Sequence, residues 1–210
     1  MTEEILASIA REVPEYARPL EGSFGRGVQR GVAAALRGFT ELLRDPDGQG
    51  GAAGDVYVEL GRGELRQGRT LDSLQAAYRV GARAAWRRLA QASLRAGVDA
   101  QALSLLAEAI FAYIDRISAD SVEGYAEAQS EREGERQRHR RRLLAALLAE
   151  QPPLEEELAR LARDAAWEPP LLAAALACVE TDRAALQRRL PAGTLAGTIE
   201  GRGCVVVADP

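Results

Sequence analysis

Apolar residues recur at three- and four-residue intervals along most of the chain up to residue 150, a spacing that places them on one face of successive α-helices. Residues 69–90 show this most clearly and predict a packed central helix, whose apolar face consists of Leu71, Leu74, Tyr78, Ala82, Ala85 and Leu89. Thr70 is placed to cap this helix through its hydroxyl, and Asp72 suits the positive end of the helix dipole.

Gly81 lies inside the central helix, where glycine costs about 1 kcal/mol relative to alanine. Ala77 and Ala85 flank it at four-residue spacing, so these three small residues predict a site where a second helix comes very close. Another face of the helix carries a basic stripe at the same spacing, formed by Arg79, Arg83 and Arg87.

Two helices and a shorter one are predicted before the central helix. Residues 3–20 have helical spacing, and Pro14 should kink or split that helix because proline lacks a backbone donor. A second helix follows Ser23. The glycine-rich stretch 45–54 predicts a flexible surface loop. A short helix then carries Val56, Leu60 and Leu65.

A long helix begins after Asp99, which is placed to cap it, and its apolar positions continue to Tyr125. From residue 129 to residue 142 the apolar face disappears, but acidic residues precede basic ones, and the helix is predicted to continue in solvent. Leu143–Leu148 restores an apolar patch before the prolines at 152 and 153 end the first domain.

The residues after Pro153 change in character. A short helix is predicted over 154–165 and another over 182–190. The apolar run Leu171–Val179 fits either a buried strand or a helix, since alanine favours helix. Two strands joined as a hairpin are predicted at the end of the chain, over 194–200 and 204–208 with the turn at 201–203.

These elements predict a mainly α fold, an antiparallel helical bundle over residues 1–128 with a long C-terminal helix. A charged helical linker follows over 129–153, and residues 154–210 form a small α/β segment. Three strands and two helices do not close a core by themselves. We therefore expect this segment to be incomplete, as the truncated start of a domain.

Composition excludes several classes of protein. The net charge is only −4 over 210 residues, so the protein as a whole is not expected to bind polyanions. Cys178 and Cys204 are too few and too scattered for a disulfide framework or a zinc site, which favours a reducing cytoplasm. The N-terminus is acidic where a signal peptide would be basic, and no apolar run approaches membrane-spanning length. We expect a cytoplasmic protein without membrane contact.

Catalytic and metal-binding patterns are scarce. His139 is the only histidine and lies among linker arginines, which argues against a nucleophilic triad or a histidine-ligated haem. Asp115 and Asp120 lie about 140° apart on a helix and do not converge as a catalytic pair. The glycine pair Gly61–Gly63 does not follow a predicted strand, so it does not support a phosphate loop. We therefore expect no enzyme activity, no cofactor and no metal.

The candidates for contact with a ligand or a partner lie on and just before the central helix: Arg69, Asp72, Tyr78, Arg79, Arg83 and Trp86. For the arginine stripe, a solvated or salt-bridged face competes with an anion site. For Tyr78 and Trp86, core packing competes with the lining of a ligand cavity. The linker has a basic run that fits either a solvated face or a contact for nucleic acid or an acidic partner: Arg138, Arg140, Arg141 and Arg142.

The central helix also carries a family resemblance. The stretch from Gly68 to Leu89, with Leu106–Asp115 and Ser121–Gln129, closely resembles the N-terminal region of actinobacterial transcriptional regulators of the PucR/CdaR type. Their N-terminal domain is similar to that of RsbT co-antagonist (RsbRD) proteins, and the resemblance extends through Arg140–Leu144 into the last segment. It implies a helical sensory domain, a degenerate GGDEF-like α/β domain after it, and a C-terminal helix-turn-helix that binds DNA.

The resemblance implies a non-enzymatic regulatory domain that relays a signal through its long helix to a downstream output domain, as a homodimer. Helix pairing would rest on Ile110–Tyr125 and Leu143–Leu148, because the polar run has no heptad seam. DNA binding would need the helix-turn-helix, for which these 210 residues offer no candidate; we expect either a fragment or a shortened relative that acts through partners. The alternative is a protein-docking module, similar to stress-response co-antagonists, that takes a regulatory protein partner and no small ligand.

Overall fold

The computed structural model describes residues 1–17, 22–45, 51–151, 153–178, 191, 193–199 and 201–208. Within these residues the chain forms six α-helices, a short 3-10 helix and three β-strands. The chain divides into two compact units, Met1–Gln129 and Ser130–Pro210. It is mainly helical, as predicted.

Proline and capping residues set several helix ends. The helix bounds are Thr2–Glu12 (α1), Gly22–Arg44 (α2), Gly51–Arg66 (α3), Leu71–Arg95 (α4), Ala100–Leu147 (α5) and Glu155–Asp164 (α6). Pro14 opens the 3-10 helix Pro14–Tyr16 directly after α1, so the predicted interruption is confirmed. The Thr70 cap of α4 is confirmed, since the Ser73 N–H donates to its hydroxyl oxygen at 3.4 Å. Asp99 likewise accepts from a first-turn N–H of α5 at 2.8 Å.

The prediction of a loop over residues 45–54 is wrong at the C-terminal end of that range, because α3 begins at Gly51. Ala52 and Ala53 belong to the residue type with the highest helix propensity, which outweighs the glycines on either side of them. The short helix predicted here is therefore 16 residues long. Residues 46–50 lie outside the described part of the chain.

α5 has 48 residues and continues through the charged run at 129–142, as predicted. Polar side chains one turn apart support the exposed helix there, as in the hydrogen bond of 3.2 Å from Gln137 to Glu133. The first part of α5 belongs to the first compact unit and its end belongs to the second. α5 is thus an element of both units.

The first unit has two buried clusters that follow the apolar stripes of the sequence. One cluster joins α1, the 3-10 helix and α4, and its members are Ile5, Ile9, Val13, Tyr16, Ala77, Val80 and Ala84. The other joins α3 and α5 and consists of Tyr57, Tyr113 and Ile117. Burial of these side chains supplies the main favourable term for folding of the unit.

The second unit combines α6 with a three-stranded antiparallel sheet in the order β1-β3-β2. The strands are Ala173–Cys178 (β1), Leu195–Ile199 (β2) and Arg202–Ala208 (β3). The predicted hairpin of β2 and β3 is confirmed, and Gly201 adopts a φ of +77° at its turn. The turn is tighter than predicted, since Arg202 and Gly203 already pair with β2.

Of the apolar run 171–179, Ala173–Cys178 forms the strand β1, but the prediction that a strand here would be buried is wrong. β1 lies at the edge of the described sheet, and Leu171, Leu172 and Leu176 are exposed. The elements of this segment share their core with the end of α5, so the expectation that they do not close a core by themselves stays a prediction. The core residues are Leu143, Leu144, Ala162, Ala165, Trp167, Leu195 and Val206. The helix predicted over 182–190 lies outside the described residues.

Candidate functional site

A cavity of about 870 Å³ lies inside the first unit. Helices α1 to α5 all contribute to its wall, and many of the side chains that line it are apolar, among them Ile5, Val28, Leu36, Leu60, Ala85 and Ile117. Small-molecule sites in proteins occupy about 300–1,000 Å³ and combine an apolar wall with a few polar groups. The size and lining of this cavity therefore suit a small, largely apolar ligand.

The C-terminal end of α3 places two polar residues, Glu64 and Arg69, in the cavity wall. Gly68 adopts a φ of +69°; its N–H donates to the Leu65 carbonyl, and the Arg69 N–H donates to the Glu64 carbonyl. This is a Schellman motif, in which the residue after the glycine lies close to the third residue from the helix end. The motif therefore returns the Arg69 side chain to Glu64.

Arg69 and Glu64 form a buried ion pair with two hydrogen bonds. Nε and Nη2 of Arg69 each donate to one carboxylate oxygen of Glu64 at 2.7 Å, and the two side chains are 9% and 5% exposed. The guanidinium also lies 4.8 Å from the ring centroid of Phe24 and 5.7 Å from that of Tyr16. The bonds to Glu64 are the main cause that raises the pKa of Arg69, so the guanidinium keeps its positive charge.

The Tyr16 hydroxyl lies beside this ion pair. Tyr16 is 3% exposed, and its hydroxyl oxygen lies beside the Glu64 carboxylate without the full distance and angle of a hydrogen bond. Burial, reinforced by the negative charge of Glu64, raises the pKa of Tyr16, so the hydroxyl keeps its proton.

Two hydrogen bonds between hydroxyl groups join α5 to α4 and to α3. The Tyr78 hydroxyl is 2.9 Å from Ser121 Oγ. Because Ser121 donates to the Ile117 carbonyl at 2.9 Å, Tyr78 is the donor to Ser121. The Tyr57 and Tyr113 hydroxyls are 2.9 Å apart. Burial is the main cause that raises the pKa of Tyr57, Tyr78 and Tyr113, so these hydroxyls remain protonated and hydrogen-bonded.

The cavity gathers some of the residues that the sequence selected on α4. Arg69 and Tyr78 line it, and so do the small residues Ala77, Gly81 and Ala85. Glu64 and Tyr16 also line it but were missed by sequence reasoning. Gly68, the glycine that ends α3, was the signal for Glu64. A Schellman motif places the residue after the glycine, Arg69, near the third residue from the helix end, which is Glu64.

The other candidates on α4 lie outside the cavity lining. Asp72 and Arg79 are exposed, and Trp86 is half-buried. Arg83 forms a surface ion pair with Glu12 at 2.8 Å, and this bond is the main cause that lowers the pKa of Glu12. For Arg83, the structure therefore shows a salt bridge on the surface of the arginine stripe.

The second helix at Gly81 is α1, which packs on α4 there through side chains and not backbone against backbone. A Cβ at Gly81 would lie 3.4 Å from a side-chain carbon of α1, which is ordinary contact. The tighter crossing joins α3 and α5: a Cβ at Gly61 would overlap the Ser121 carbonyl oxygen, and a Cβ at Gly124 would overlap that of Val58. Sequence reasoning missed this crossing, although the glycine pair that starts at Gly61 was a visible signal.

The linker arginines fall in the second unit. Arg140 donates from Nη2 to the Thr194 carbonyl at 2.6 Å, and burial lowers the pKa of Arg140. Arg138 lies 4.0 Å from Glu135 on the surface of α5. The two further linker candidates, both exposed, are Arg141 and Arg142.

In the part of the chain that the structure describes, no group of three or more His, Cys, Asp or Glu side chains is arranged to hold a metal ion. Among the helices described, none combines the length and the apolar character needed to cross a membrane. His139 is half-buried on α5.

The comparisons with known proteins give one match. A family model described as the PucR-like N-terminal domain matches residues 1–148, well over half of the 210 residues. Neither the curated proteins nor the solved structures contain a significant match. The matched range includes the cavity and the whole of α5, and the chain belongs to the PucR-like N-terminal domain family, a family of regulatory domains.

Proposed function

We propose that residues 1–148 are the sensory domain of a transcriptional regulator, which binds a small molecule in the cavity and relays its presence through α5 to an output domain. Family membership supports the regulatory role. In this proposal the second unit is the start of a degenerate GGDEF-like domain, and DNA is bound in the cytoplasm through a helix-turn-helix beyond these residues. No catalytic step is part of the proposed function.

The observation that supports a relay through α5 is the composition of the cavity wall. α5 supplies Ile110, Tyr113 and Ile117 to that wall, and Ser121 on the next turn accepts from the cavity residue Tyr78. The same helix extends to Leu147 and places Leu143 in the core of the second unit. A ligand that favours one position of the α5 wall would thus act on an element that both units share.

The ligand site is tested by titrating the full chain with N-phenyl-1-naphthylamine, a neutral apolar dye whose fluorescence rises in apolar surroundings. We expect saturable binding that Ala85→Phe abolishes, because the larger ring occupies the cavity. Ala92→Phe is the matched control, since Ala92 is an exposed residue of the same helix. Equal dye binding by all three proteins would contradict a ligand site in this cavity.

A second candidate function is protein docking, and exposed apolar side chains on α5 favour it. Phe111 is 69% exposed and Leu105 is 58% exposed. Ile110 and Leu143, which the sequence suggested for helix pairing, are buried within their own units. We therefore propose that a homodimer or a regulatory protein partner would use Phe111. Sedimentation velocity of Phe111→Ser tests this: loss of a dimer supports docking, and an unchanged mass opposes it.

A further inference from the structure

The buried polar side chains of the cavity wall already interact with one another or with their neighbours. Glu64 and Arg69 form an ion pair with two hydrogen bonds, and the Tyr16 hydroxyl is buried beside the Glu64 carboxylate. The hydroxyls of Tyr78 and Tyr113 are each hydrogen-bonded to another side chain. A polar atom of a ligand would lose its bonds to water among these groups, so hydrocarbon suits the buried part of the cavity best.

The cavity is partly open to solvent, and charged side chains stand where it opens. The charged residues of α2 and α3 that line the cavity and are also exposed are Arg30, Arg37, Asp55, Glu59 and Arg66. A polar head group at this opening keeps its contact with water while an attached apolar chain is buried, as in long amphipathic side chains. The opening therefore suits the polar end of an amphipathic ligand.

The free charge at the opening is positive. Glu59 and Arg66 lie 3.7 Å apart, so their charges offset each other. Within the described part of the chain, Arg30 and Arg37 form no ion pair, and neither does Asp55. Two unpaired arginines thus face one unpaired carboxylate. This balance favours an anionic head group over a cationic one.

The spacing of the two unpaired arginines suits a single head group. Arg30 and Arg37 are seven residues apart on α2, close to two full turns, so their side chains leave the helix on the same side. Their Cα atoms are about 10 Å apart at the usual helical rise, and two long side chains can reach one group between them. A guanidinium binds a carboxylate through charge-assisted hydrogen bonds, often in pairs.

We infer that the cavity binds an anionic amphipath, namely a carboxylate with an unbranched hydrocarbon chain. The chain fills the volume of about 870 Å³ between apolar side chains such as Leu36, Leu60 and Ile117, and the carboxylate stays at the opening with Arg30 and Arg37. This inference rests on the proposed function, because it assumes that the cavity is the ligand site.

The test displaces N-phenyl-1-naphthylamine from the full chain at pH 7.5 with undecanoate and with undecylamine, which have the same number of carbon atoms and opposite charges. Both are used below their critical micelle concentrations. We expect undecanoate to compete at least about fivefold better than undecylamine, the size expected for two exposed ion pairs. Added salt should narrow this difference because it screens exposed charges.

A double variant locates the head group. Arg30→Gln combined with Arg37→Gln should weaken competition by undecanoate about fivefold, since both ion pairs are lost. Binding of the dye and competition by 2-undecanone should hardly change, because both molecules are neutral. Arg26→Gln combined with Arg44→Gln is the matched control: both arginines are exposed on α2 outside the cavity lining, so the change in net charge is the same. This control should bind undecanoate as the wild type does.

Undecylamine that competed as well as undecanoate would overturn the anionic class. An undecanoate affinity that fell equally in the two double variants, or in neither, would overturn the position of the head group. Both of these results leave the ligand site standing, provided that Ala85→Phe still abolishes dye binding. Dye binding that Ala85→Phe does not reduce would instead refute the cavity as a site, and with it the proposed sensory function.

Discussion

Two parts of the helical unit differ in how closely their helices approach. Where α3 crosses α5, Gly61 and Gly124 let backbone touch backbone. Around Gly81 the contacts are made by apolar side chains, which line a cavity that is partly open to solvent. The contrast teaches that a glycine inside a helix does not by itself identify a close crossing. It also separates a contact that holds α5 in place from a space that a ligand can fill.

The largest effect is expected at the close crossing. Gly124→Ala places a Cβ against the Val58 carbonyl, which a backbone cannot avoid by changing rotamer. We expect a loss of unfolding free energy of about 3 kcal/mol or more, at the upper end of overpacking effects. Urea unfolding followed by circular dichroism measures it. A midpoint equal to that of the wild type would show that the two backbones are not in contact.

The next effect concerns the polar group of the cavity. Glu64→Gln leaves Arg69 as a buried charge without its carboxylate, which costs about 3 kcal/mol when one member of a buried pair is removed. Glu12→Gln is the control, because it breaks the exposed pair with Arg83 and should leave the melting temperature unchanged. Equal melting temperatures of the two variants would contradict the burial of the Glu64–Arg69 pair.

High pH should weaken the unit through its buried tyrosines. The pKa values of Tyr16, Tyr57 and Tyr78 are raised in the folded state, whereas unfolded tyrosine ionises near pH 10. The folded state then holds more protons, so stability is complete below pH 10 and falls above it, by about 1.4 kcal/mol per pH unit for each such tyrosine. Urea midpoints between pH 9 and 11 measure this loss. Tyrosinate absorbance from more than one of the five tyrosines near pH 10, without unfolding, would oppose it.

The smallest effect is expected at the cavity wall. Gly81→Ala adds a Cβ that meets Ile5 at 3.4 Å and Ile9 at 3.8 Å, both of which are ordinary contacts. The gain in helix propensity should then stabilise the protein, by up to about 1 kcal/mol. The same urea experiment applies, with Gly124→Ala as the comparison. A loss as large as that of Gly124→Ala would mean that the two glycines play the same role.

Local signals in the sequence predicted the elements well. Thr70 and Asp99 cap their helices and Pro14 interrupts the first one, because each acts within a few residues along the chain. The pairing of Glu64 with Arg69 is also local, but its signal is a helix-ending glycine rather than a charge pattern. This pair could have been predicted from Gly68 and was not.

The features that could not be predicted depend on distances between elements. Periodicity indicates which face of a helix is buried, but not whether the facing side chains meet or leave a space, so the cavity had no signature. Likewise, Leu171 and Leu176 are apolar enough for a core, yet both are exposed, which depends on whether another element covers that face. The order of strands in a sheet cannot be predicted from any one of the strand sequences alone.

The central claim is that occupation of the cavity is transmitted along α5. Amide hydrogen exchange of the full chain, with and without saturating N-phenyl-1-naphthylamine, measures this directly. The account predicts changed exchange at residues 130–147 as well as at the cavity wall, and no change at 130–147 in Ala85→Phe. Exchange that changed only as far as Ile117, with residues 130–147 unaffected by bound dye, would contradict it.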